Sequence, residues 1–191
     1  MHKALTPSLY YTLIVSLGGF IFGFDASVIA GANGFIDAEF NLSDWQQGFV
    51  VSSPTLGALI AMLFAGGISD AIGRRKALIF VAFLYLISSI GSALAPSFEL
   101  LVLARFIGGI AFCSLIIAPL YISEISSPEN RGKMVSVNQL NIVFGFALSY
   151  FTNYYLLQLS GSGAAWVAYW GLDTHLWRYM LGLEVIPAAL W

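Results

Sequence analysis

Apolar residues recur in stretches of about twenty, separated by short polar breaks, along the whole chain, a pattern that predicts helices crossing a membrane. The windows run from Ser8 to Ala32, Trp45 to Ile68, Ala77 to Ala95, Phe98 to Ile122 and Met134 to Leu156, and a last one opens near Trp177. At 1.5 Å per residue, about twenty residues cover a hydrocarbon core of roughly 30 Å, so each of the first five windows is long enough to cross. The sixth stops at Trp191, about fourteen residues in, which reaches only some 21 Å. The expected fold is therefore an all-α membrane bundle of five full transmembrane helices plus a truncated sixth, with no separate soluble domain.

Composition points the same way. Hydrophobic residues make up 59% and charged residues 9% of the chain, with a mean hydropathy of +0.83, whereas charged residues are nearer a quarter of a soluble domain. A net charge of −2 gives no basic footprint for nucleic acid. Cys113, the single cysteine, lies in an apolar run with no partner for a disulfide or metal pair, and reads as a packing residue. Lys3 and the Ala30-Gly31-Ala32 triplet imitate a cleaved signal peptide, but the first window is too long for one and carries Asp25. Asn41-Leu42-Ser43 is formally a glycosylation sequon, too common by chance to argue from.

Orientation is read from the basic residues, which cytoplasmic loops collect. Lys3, then Arg74, Arg75 and Lys76, then Arg131 and Lys133 fall on one side, while the segments around Asp37, Glu39, Asp44 and Glu99 carry no Lys or Arg. The N-terminus is expected to be cytoplasmic. Tyr10, Tyr11, Trp45, Trp166, Trp170 and Trp177 fall near predicted span ends, where amphipathic rings favour the headgroup layer.

Three ionisable residues fall inside the spans: Asp25, Arg105 and Glu184. Each costs roughly 2.5–3.5 kcal/mol at the centre of an inserted helix and is rarely kept without a partner or a task. Counting about six or seven residues from the outer span ends places all three some 9–11 Å deep, which predicts one acid–base cluster. Opposite charges there offset one another's desolvation, and such a site can exchange a proton when its surroundings open. A buried ion pair that only fixes helix packing fits the same positions.

The motifs carry a resemblance. GGISDAIGRRKA, between the second and third spans, resembles the loop signature of the major facilitator superfamily. GFIFGFDASVIAGA, RFIGGIA, PLYISEISSPENRGK, VNQLNIVFG and WRYMLGLEVIPA, in that order, are similar to the sugar porter family within it. One departure is Ala71, where many members carry a basic residue. The resemblance implies that residues 1–191 are the N-terminal six-helix half of a twelve-helix transporter whose C-terminal half is missing, with alternating access by rocking of the two halves.

It also implies roles. Gln139, in the fifth-span motif, matches a glutamine that binds sugar hydroxyls; an amide offers both donor and acceptor to a neutral polyol, although an interhelical hydrogen bond is the plainer alternative. Asp70, Arg74, Arg75, Glu124 and Arg131 match the charged inner gate, where the positive-inside rule alone would explain the arginines but not the acids. Passive members generally have an uncharged residue at the position of Asp25, so the expectation is a monosaccharide–proton symporter. A passive facilitator, a sugar sensor, and a dimerising or nonfunctional half-transporter are the alternatives. The expected partners are monosaccharide, proton, lipid bilayer and the missing half, in the bacterial inner (plasma) membrane, with no cofactor and no metal. His2 and His175 fall on opposite sides of the bundle, and no nucleophile–base pair, phosphate loop or metal spacing points to an enzyme. Gly18 and Gly19, Gly66 and Gly67, and Gly108 and Gly109 are expected to permit close helix approach.

Overall fold

A computed structural model describes residues 5–162, 167, 169, 171–172 and 174–191, and every regular element among them is helical. The helices are α1 (Leu5–Phe40), α2 (Asp44–Ile72), α3 (Arg74–Ala93), α4 (Phe98–Ala111), α5 (Ser114–Ile125), α6 (Arg131–Ser160), α7 (Leu176–Gly182) and α8 (Val185–Leu190). Five stretches are long and apolar enough to cross a membrane: Ser8–Phe40, Asp44–Ile72, Arg74–Ala93, Phe98–Ile125 and Arg131–Ser160. The five full spans expected are all present, and the fourth is the pair α4–α5.

Local chemistry sets the ends. Ser43 caps α2 in a capping box, its hydroxyl accepting from the Gln46 N–H while the Gln46 side chain accepts from the Ser43 N–H. Gly73, at φ 88, turns the chain from α2 into α3 in a conformation that a side chain would resist. Between α4 and α5 the ladder tightens: Phe112 N–H donates to Gly109 and Cys113 N–H to Ile110, both three residues back. A similar tight turn carries Glu184 between α7 and α8, where its N–H donates to Leu181.

The helices pack around α1 and α4. α1 lies along α6, α4 sits between α2 and α3, and α7 and α8 close the bundle against α1 and α3. Backbones touch where glycines allow it. A Cβ on Gly23 would lie 2.1 Å from the Ile142 carbonyl, and one on Gly109 2.0 Å from the Pro54 carbonyl. Gly66 and Gly67 do not serve this purpose, because both face open space. The outer surfaces of α2 and α3 are apolar, with Leu59, Leu63, Phe64, Phe80 and Phe83 all more than half exposed. Such a face is a liability in water and suits lipid.

Two expectations need correction. The first helix does not stop at Ala32 but continues to Phe40, so Asp37 and Glu39 stand on its last turns rather than in a loop; polar residues that follow an apolar run lengthen a helix without lengthening its hydropathy signal. Trp177 is fully buried, so its ring packs inside the bundle rather than facing headgroups. Tyr10, Tyr11 and Trp45 are exposed as expected, while Trp166 and Trp170 lie outside the described residues.

Candidate functional site

Asp25, near the middle of α1, and Arg105, on the buried face of α4, meet at the centre of the bundle. Arg105 Nη1 donates to Asp25 Oδ1 at 3.0 Å, and the two residues are only 3% and 4% exposed. Two bare charges would not stay in such a place; paired and hydrogen-bonded, they offset much of each other's desolvation. Arg105 Nε donates to a second partner that no side-chain pattern announces, the backbone carbonyl of Val50 on α2, at 3.2 Å.

Glu184, 3% exposed at the α7–α8 turn, lies within electrostatic reach of both Asp25 and Arg105 but hydrogen-bonds to neither. The three residues form one cluster in which only Asp25 and Arg105 are bonded. The depth count put Asp25 a few residues below the end of its helix, yet α1 runs fifteen residues beyond it to Phe40; helix packing, not equal distance from span ends, brings the group together. Tyr85 of α3 is fully buried within reach of both acids, its hydroxyl 3.2 Å from Ser114 Oγ. Gly108 keeps this space clear, since a Cβ there would lie 2.4 Å from Ser88 Oγ and 4.0 Å from Asp25 Oδ2.

The cluster is not sealed. Arg105 forms part of the wall of an open cavity of about 500 Å³, together with Phe22, Val51, Pro54 and Thr55. Phe22 meets the edge of Phe146 at 6.2 Å between ring centres. Phe146 stands two turns along α6 from Gln139 on the same face, about 10 Å along the axis. Gln139 is exposed and makes no hydrogen bond among the described residues, so the interhelical alternative is not realised within this bundle. Its neighbours do that work: Asn141 Nδ2 donates to Ser16 Oγ, and Asn153 Nδ2 to the Val28 carbonyl at 3.1 Å, both tying α6 to α1.

At one end of the bundle Arg74 pairs with Asp70 one turn back and, at 3.2 Å, with Glu124 at the end of α5. Arg131 Nε donates instead to the Ser123 carbonyl at 2.9 Å, and Arg75 lines a separate cavity with Tyr11 and Tyr121. Three of the five expected gate residues are therefore joined and two are not.

A second charged cluster closes the opposite end, and sequence reasoning misses it because Arg178 stands apart from the basic residues that set the sides. Glu39 accepts from Trp177 Nε1 at 2.6 Å, from Arg178 Nη2 at 2.7 Å, and faces His175 Nδ1 at 3.2 Å. Arg178 Nη1 also donates to the Ala93 carbonyl at the end of α3, and its guanidinium lies 4.4 Å from the centre of the Trp177 ring.

The family model described as "Sugar (and other) transporter" matches residues 11–191. A D-xylose transporter of Levilactobacillus brevis is 40% identical over 191 residues, which are 100% of this chain and 38% of that protein. The arabinose-proton symporter of Escherichia coli K12 is 39% identical over 198 residues, covering 98% of this chain and 39% of its own length. Among solved structures, the inward-open xylose transporter XylE of E. coli superposes with a TM-score of 0.84 at 36% identity, over 96% of this chain and 46% of the other. XylE bound to 6-bromo-6-deoxy-D-glucose, described as a major facilitator superfamily proton:xylose symporter, gives 0.82 at the same identity. The chain spans about two fifths of the length of the curated relatives it matches.

Proposed function

We propose that this chain, which belongs to the Sugar (and other) transporter family, supplies the N-terminal helix bundle of a protein that moves a monosaccharide across a membrane together with a proton. The family is one of transporters, and the fold is that of the major facilitator superfamily. The observation that carries the reading is the buried Asp25–Arg105 pair with Glu184 beside it, in a chain similar along its whole length to sugar-proton symporters.

In this reading Asp25 takes a proton on its carboxylate, which turns an ion pair into a contact between a neutral acid and a guanidinium. The interaction that ties α1 to α4 weakens, and the bundle is free to reorient against a second half that faces it. Gln139 presents its amide to the sugar on the exposed face that runs, through Phe146 and Phe22, to the cavity beside Arg105. Arg74, joined to Asp70 and Glu124, belongs to the cytoplasmic gate with Arg75 and Arg131, and the basic residues at that end make the N-terminus cytoplasmic in a bacterial plasma membrane.

The test is Asp25→Asn in the full-length protein. Asparagine copies the protonated acid in shape and charge, so accumulation of sugar driven by an imposed proton gradient should be lost while sugar exchange across the membrane continues. A mutant that still concentrates sugar would make Asp25 a packing residue and favour passive transport or a different coupling acid.

A further inference from the structure

The Arg105 site depends on a defect in α2. In a regular helix each carbonyl accepts the N–H four residues on, and proline has none to give. Pro54 lies inside α2, buried, with the helix continuing on either side, so the Val50 carbonyl lacks its backbone donor. Two other donors take its place, Ser53 Oγ at 3.2 Å and Arg105 Nε at 3.2 Å, and they match the two lone pairs of a carbonyl oxygen.

Packing sets the register. Gly57 and Gly109 let α2 and α4 touch through their backbones, a Cβ on Gly57 lying 2.3 Å from the Phe106 carbonyl and one on Gly109 2.0 Å from that of Pro54. Pro54 therefore rests against Gly109, and Val50, one turn earlier, meets Arg105, one turn earlier on α4. The titratable groups within reach of the guanidinium come from other elements, Asp25 from α1 and Glu184 from the α7–α8 turn, and behind them Tyr85 of α3 lies within reach of both acids and of Cys113 in the α4–α5 turn. Between Asp44 and Asp70, α2 has no titratable side chain, and α6 turns Tyr150, Tyr154 and Tyr155 outward. What α2 contributes to this cluster is a carbonyl.

We infer that Pro54 is a positioning residue for proton coupling: by withholding an N–H from Val50, it leaves a backbone carbonyl to hold the Arg105 guanidinium whenever Asp25 is neutral. The inference rests on the reading of Asp25 as the coupling acid. A guanidinium that loses its carboxylate in a low-dielectric interior must keep a good acceptor or migrate, and the Val50 carbonyl keeps it aimed at the place where Asp25 ionises again. A residue with an N–H at position 54 would bring a third donor to an oxygen already holding two, and would displace the arginine.

Pro54→Ala in the full-length protein, reconstituted in proteoliposomes with radiolabelled D-xylose and L-arabinose, tests this. Proton-driven accumulation should fall about tenfold, the worth of a hydrogen bond to a charged group, and by clearly more than sugar exchange does. Pro54→lactic acid places an ester oxygen where the N–H would be and removes the proline ring; it should restore accumulation, because the missing donor and not the ring is what matters. Undiminished accumulation in Pro54→Ala would overturn the inference, and so would an ester variant that folds, exchanges sugar and fails to accumulate it. If Pro54→Ala does not fold, the ester variant against wild type decides by the same criterion. Failure of the coupling reading itself is distinguished by Asp25→Asn, which would then still concentrate sugar whatever stands at position 54.

Discussion

Gln139 stands with its amide in open space on α6, while Asn138 beside it is buried against α1. One step of 100° along the helix separates a side chain that packs from one that faces outward, and only the outward one is free to meet a ligand. Gln139→Ala in the full-length protein should weaken sugar binding by about 1–3 kcal/mol through a lost hydrogen bond and partner groups left unpaired. Equilibrium binding of labelled sugar checks this, and unchanged affinity for every transported sugar would remove Gln139 from the site. Residue identity made Asp25, Arg105 and Glu184 stand out in the sequence, since a charge in an apolar run is rare, whereas Gln139 was picked from several amides on its helix by the resemblance of its motif alone. The Val50 carbonyl was not legible by that route, because every residue has one. The signal that could have found it is Pro54, since a proline within a helical run leaves the carbonyl four residues back without its usual donor.

Helices were legible in number and order but not in their ends. Hydropathy follows apolar side chains, so it lost α1 at Ala32, and it could not tell a continuous fourth span from α4 and α5 meeting at a tight turn. The glycines show why spacing alone is a weak guide to contact: Gly109 lies against the Pro54 backbone, whereas Gly48 has nothing within 4 Å, and both stand in apolar helices. The difference is measurable. Gly109→Ala should destabilise the protein by about 1–3 kcal/mol, because the added carbon meets backbone that cannot rotate away. Gly48→Ala should be neutral or stabilising by up to about 1 kcal/mol from helix propensity. Thermal unfolding in detergent separates them, and equal effects would mean that α2 and α4 do not touch as closely as described.

At the scale of the whole molecule, the bundle carries a charged cluster at each end and one in its middle, and the end clusters differ in what they join. Arg74 links the α2–α3 connection to the end of α5 through Asp70 and Glu124, two exposed acids that solvent screens. Glu39 links the last turn of α1 to the start of α7, and through Arg178 to the end of α3, with its carboxylate and the arginine each 23% exposed. These are the elements that α7 and α8 close against, so Glu39 helps to hold Glu184 in place beside Asp25, which stands several turns back on the same helix α1. Glu39→Ala removes the acceptor for the indole and the guanidinium together, and after allowance for partial exposure it should cost about 1–2 kcal/mol. Glu99, exposed on the first turn of α4 with no ion pair among the described residues, is the control, and Glu99→Ala should lower the unfolding temperature less than Glu39→Ala does. Unfolding temperatures of the two variants give the comparison. If Glu39→Ala unfolds at the wild-type temperature, the contacts to Trp177 and Arg178 do not fasten the sixth span to the bundle, and burial of Trp177 and Leu176 alone keeps Glu184 near the pair.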